Sequence, residues 1–79
     1  MNVRTGDFYV ESIGKGKKRG KEKIFRSLKA AKIFAKLEYK KGRGVMIDKI
    51  TKTGQSSILQ KGMERTGFKK PFAINFGKW

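Results

Sequence analysis

The sequence predicts an α+β fold, a small antiparallel sheet of about three to five strands with one amphipathic helix packed on a face. Three observations carry this. Two segments, Phe8–Ile13 and Val45–Lys52, are rich in strand formers. Between them, an alanine-rich stretch after Ser27 has helical periodicity. A Thr53-Gly54 pair then invites the chain to turn back on itself as a hairpin. At 79 residues there is room for one core, so residues 1–79 form a single domain.

The first strand is Phe8-Tyr9-Val10-Glu11-Ser12-Ile13, closed by Gly14. Residues 14–23 hold three glycines, six cations and no apolar side chain. They read as a flexible basic arm or hairpin. Ile24-Phe25 can pair briefly with the first strand. Ser27 is placed to cap a helix, its hydroxyl accepting from an orphan amide of the first turn. The helix runs from about Leu28 to Lys41 and is stopped by Gly42-Arg43-Gly44.

Placed at about 100° per residue, Leu28, Ala30, Ala31, Ile33, Phe34, Ala35 and Leu37 share a broad apolar arc. Lys29, Lys32, Lys36 and Lys40 align opposite it. Glu38 falls inside the arc and is assigned to a frayed helix end. In the following strand, Val45, Ile47, Lys49 and Thr51 share one face, and Met46, Asp48, Ile50 and Lys52 the other. Gln55–Gln60 returns beside it. The segment 62–79 is aromatic and basic, with a last strand expected over Phe72-Ala73-Ile74-Asn75-Phe76.

Charge is the dominant compositional signal. Lysine and arginine number 21 against 6 acids, a formal net charge of +15. Such self-repulsion is relieved by a polyanion, whose condensed counterions are released on binding. The expected partner is therefore nucleic acid, DNA before RNA, held by its phosphates with low sequence specificity. The candidate contacts are Lys15, Lys17, Lys18, Arg19, Lys21 and Lys23 of the arm, Lys29, Lys32, Lys36 and Lys40 of the helix, and Arg43. The competing readings are an ordinary solvated helix face and a solvated loop. Lysine lacks the planar fork that reads guanine, which favours backbone contact over base readout.

Phe68, Phe72, Phe76 and Trp79 lie among Lys69, Lys70 and Lys78. Aromatics interleaved with cations are used to stack single-stranded bases, but a domain this small also needs them for its core or for a homodimer contact. Trp79 is the candidate for stacking or partner docking.

With no cysteine and no histidine, disulfides, thiolate metal sites and the commonest general base are excluded. The arm is not a P-loop. Five residues separate Gly14 from Gly20 where the motif has four, and Lys21 precedes Glu22 rather than Ser or Thr. The acids form no close metal-ligand cluster. No catalytic residue, metal or cofactor is expected, and the chain reads as a non-enzyme. No apolar run approaches the ~20 residues of a membrane span, and Met1–Asp7 has no signal-like apolar stretch. A cytoplasmic location is expected.

The segment Ser27-Leu28-Lys29-Ala30-Ala31-Lys32-Ile33-Phe34-Ala35, with the hairpin from Val45 to Leu59, resembles small phage-encoded accessory proteins of β–α–β–β layout, including an anti-CRISPR family. The resemblance spans residues 8–60. It implies an inhibitor or adaptor that meets a host protein or nucleoprotein complex, and lysines that promote nonspecific DNA binding. The basic arm and aromatic tail depart from that layout. The Lys-Ala-Ala-Lys helix is also similar to that of double-stranded RNA-binding domains. There it closes the domain, whereas here roughly forty residues follow.

Overall fold

The computed structural model describes residues 4–69 and 73–79. Strand β1 (Phe8–Ile13) pairs antiparallel with β2 (Arg19–Phe25) on one side and β3 (Gly44–Thr51) on the other. Strand β4 (Gly54–Lys61) pairs antiparallel with β3, giving the sheet order β2-β1-β3-β4. Helix α1 (Leu28–Lys40) crosses one face of this sheet. The expected class is correct, with one helix on a four-stranded antiparallel sheet. Among the described residues no helix is long and apolar enough to cross a membrane.

The largest departure is at the arm. Its second half is strand, since β2 begins at Arg19 rather than Ile24. Its first half is a short 3-10 turn, Lys15–Lys17, tied down where the Lys17 amide donates to the Thr66 carbonyl at 2.7 Å. Polar residues sustain β2 because it is an edge strand, needing a partner on one side only. Exposed lysines along such an edge also discourage further pairing. Gly20 is required here. A Cβ at this position would collide with the Ser12 hydroxyl, where the β1–β2 register shifts between Glu11 and Ile13.

Ser27 caps α1 as expected, accepting from the Ala30 amide at 3.0 Å. The helix ends on a left-handed Gly42 (φ 91°). The Gly42 and Arg43 amides return to the carbonyls of Tyr39 and Glu38, which is the Schellman closure. The two-residue turn joining β3 to β4 is Lys52-Thr53, one position earlier than the expected Thr53-Gly54, because Gly54 pairs with Thr51 as the first residue of β4. The expected last strand reduces, among the described residues, to one bridge between Gln60 and Phe76. Lys70, Pro71 and Phe72 lie outside the described residues.

The core lies between helix and sheet. Val10, Val45, Ile47 and Leu59 from the strands meet Ala31 and Ala35. Each fully buried Val, Ile or Leu contributes about 1.5–3 kcal/mol, so so small a core makes every other buried contact count. The two alanines bring the helix backbone close to the sheet, and Phe34, Leu28 and Tyr39 flank them.

This corrects the helical arc. Ile33 and Leu37 are 56% and 55% exposed, whereas Glu38 is 1% exposed. The expected arc was too wide on the side of Ile33 and Leu37, while Glu38, which lies inside it, is buried because it is fully partnered. Its Oε1 accepts from Ser12 Oγ at 3.0 Å and from Arg43, and its Oε2 accepts from Lys41 Nζ at 3.1 Å. Glu38 therefore anchors the helix end instead of fraying with it.

Burial pushes the Glu38 carboxyl up, but the bonds from Arg43, Lys41 and Ser12 outweigh it and hold the group below its ordinary value. A depressed folded pKa means the contribution is complete above the unfolded value of about 4.3. It is lost as pH falls through the folded pKa. Glu38→Gln should cost roughly 1–3 kcal/mol near neutrality, the scale of hydrogen bonds to a charged group, discounted because Lys41 and Arg43 can rehydrate. Denaturant titrations of both proteins should show that gap constant at neutral pH and closing as pH falls below the unfolded carboxyl value of about 4.3 and through the lower folded one. A gap that is constant with pH would mean the carboxylate charge contributes nothing.

Candidate nucleic-acid interface

The outward face of α1 carries Lys29, Lys36 and Lys40, all exposed, with Lys32 half-buried on one flank. The helix contains a single acid, the buried Glu38, so its solvent face bears one sign of charge. Ile33 and Leu37 stand exposed among these lysines.

On β2, Arg19, Lys21 and Lys23 are exposed along the sheet edge. Lys23 pairs in register with Val10, which places its side chain on the helix side. There its ammonium lies 5.7 Å from the rings of both Phe25 and Phe34. Arg19 is exposed and forms a 3.4 Å ion pair with Glu22. Lys15, Lys17 and Lys18 project at the hairpin turn. Lys17 adopts φ 65°, a left-handed conformation uncommon for a non-glycine residue. Its ammonium is 5.5 Å from the Phe68 ring.

Ile13 pairs with both Arg19 and Gly44, so this turn and the C-terminal end of α1 lie at the same end of the sheet. Lys23 shares the helix side with the lysines of α1, whereas Arg19, in register with Ile13, and Lys17, against the Phe68 ring, stand toward the other face of the sheet. Arg43 is different. Its guanidinium is committed to Glu38, making it a structural cation.

The acids collect elsewhere. Glu11 pairs directly opposite Glu22, and Asp48 opposite Tyr9, all on the sheet face away from the helix. Tyr9 donates to Glu11 Oε2 at 3.0 Å. Burial first, and then the carboxylates of Glu11 and Glu22, push the Tyr9 hydroxyl far above its ordinary value, so it stays a neutral donor. Asp48 accepts from Ser57 at 2.9 Å. On this same face Ile13, Met46, Met63, Ile74 and Phe76 line an apolar groove of about 470 Å³ with Glu11 at its rim. No sequence signal marked it, because the groove joins residues of three strands, β1, β3 and β4, to a distant tail.

Trp79 is half-buried rather than free. Its ring packs on Tyr39 with centroids 5.5 Å apart and planes at 58°. Arg65 holds Tyr39 from another side, its guanidinium 4.2 Å from that ring and its Nη1 donating to the Tyr39 carbonyl at 2.9 Å. Sequence reasoning missed both Arg65 and Tyr39, since neither forms a local pattern with Trp79. Beside Trp79 lies a shallow groove of about 200 Å³, lined by Lys29, Lys32, Ile33 and Lys36. The Lys36 ammonium is 6.0 Å from the indole centroid. The chain matches no protein-family model, no curated protein and no solved structure.

The exposure of Ile33 and Leu37 has a direct test. Ile33→Gln and Leu37→Gln should each change stability by no more than about 0.5 kcal/mol, the range of ordinary surface substitutions. A loss of several kcal/mol in thermal or urea unfolding would return these side chains to the core.

Proposed function

We propose that this protein binds nucleic acid, DNA foremost, through phosphate contacts of low sequence specificity, and that it does so without catalysis. The observation that carries the reading is the single-sign face of α1 beside the cationic edge strand, while Glu11, Glu22 and Asp48 lie on the opposite face. A net charge of +15 becomes attractive to a polyanion when it is concentrated on one side. Lys29, Lys36 and Lys40 are free to follow a phosphate backbone, with Lys21, Lys23 and the turn lysines extending the track. The β2 hairpin acts as a pre-shaped ridge, so less ordering entropy is spent on binding than for a free arm. Such a protein works in a compartment where nucleic acid is accessible, in keeping with a cytoplasmic location.

Affinity for random-sequence duplex should fall steeply with salt. About five phosphate contacts give a log–log slope of roughly −4 to −5. Replacing Lys29, Lys32, Lys36 and Lys40 by Gln should preserve the fold, weaken binding equally on unrelated sequences, and flatten the slope by about 2 to 4. No binding at low salt would overturn the reading.

A protein-directed adaptor is the second reading, favoured by the apolar groove on the acid-bearing face. It would be preferred if the quadruple variant kept its binding partner while substitutions at Met46 and Ile74 abolished capture.

A further inference from the structure

We propose that the groove between Trp79 and the outer side of α1 receives one unstacked base of a single-stranded nucleic acid. The flanking phosphates would lie on Lys29, Lys32 and Lys36. This rests on the phosphate-binding reading and deepens it, since it adds a base-recognising element to a surface otherwise described by charge alone.

The groove has the parts such a site needs. Trp79 is held from behind by Tyr39, which Arg65 in turn fixes. The indole therefore has little freedom to lose when a base arrives. Ile33 supplies an apolar wall, which explains the placement of a 56% exposed isoleucine on a face otherwise lined with lysine. Three lysines line the opening within about two helical turns.

In the free protein Lys36 lies over the indole at 6.0 Å, a weak exposed cation–π contact. Base–aromatic stacking is the stronger interaction. An incoming base therefore takes the ring, and the displaced ammonium is left beside the adjoining phosphate. Paired bases in a duplex already have both faces covered by their neighbours. The groove accordingly selects for single strands, and it tolerates any base because each has a π face.

Trp79 is the sole tryptophan in the chain, so its fluorescence reports this groove alone. The protein would be titrated at low salt with oligothymidylate, with oligouridylate, with an end-closed hairpin duplex and with heparin, a polyanion lacking bases. All four should bind, but only the two single strands should quench the emission, in step with occupancy. Trp79→Leu should lower oligothymidylate affinity by roughly 5- to 100-fold, the loss of one stacked base. Duplex affinity should change less than about threefold, because the phosphate contacts are untouched.

Equal quenching by heparin, or an unchanged single-strand affinity in a folded Trp79→Leu variant, would overturn the stacking groove while leaving phosphate binding in place. Failure of every polyanion to bind at low salt would overturn the underlying reading as well. The wild-type quenching series decides the matter even if Trp79→Leu fails to fold. Quenching by oligothymidylate and not by oligouridylate would overturn the groove's tolerance of any base.

Discussion

The buried carboxylate of Glu38 is the constraint on which the other parts of this fold converge. It ties the last turn of α1 to the middle of the sheet through Ser12, and to the chain reversal after the helix through Lys41 and Arg43. Ser12 passes the connection on, since its oxygen also accepts from the Lys21 amide at 2.8 Å on the edge strand. Helix, central strand and edge strand are thereby joined by directional bonds at one point. An apolar side chain at position 38 could fill the space but could not fix the register of β2 against β1. A buried charge without partners would be far more costly than its removal, so the cluster has to form as a whole. Gly20 belongs to it by omission, because a side chain there would occupy the position of the serine hydroxyl.

That cluster also shapes the surface. By turning Glu38 inward, it removes the one acid from α1 and rotates the lysines outward, with Ile33 and Leu37 carried along among them. The pairing of Glu11 with Glu22 and the placement of Asp48 send further acids to the opposite side of the sheet. Two faces of distinct chemistry result: one with helix lysines, exposed aliphatic side chains and an anchored indole, the other with an apolar groove and Glu11, Glu22 and Asp48, where Arg19 pairs with Glu22. Under the proposed function, this placement presents the helix lysines, rather than these carboxylates, to a polyanion.

Much of the architecture was legible because it rests on local chemistry. The Ser27 cap, the glycine stop after α1, the alternation in β3 and the presence of a hairpin after it, though not its exact turn residues, each depend on residues close in sequence. The helix lysines were legible for the same reason, as periodicity alone sends Lys29, Lys36 and Lys40 to one side. The extent of β2 was not. A run of glycine and lysine has no strand propensity to detect, and its conformation comes from pairing with β1 and from the Thr66 carbonyl that receives Lys17.

By itself, then, the sequence determined the fold class, the boundaries of the helix and the sign of the charge, all consequences of composition and short-range periodicity. Tertiary structure decided which arc of the helix is buried, that Arg43 serves Glu38 instead of solvent, and that Trp79 reaches Tyr39 across forty positions of chain. The physical reason is common to all three. A charge can be buried, and an aliphatic residue left in water, only when distant groups supply the compensating bonds and contacts, and those distances are set by folding rather than by spacing along the chain.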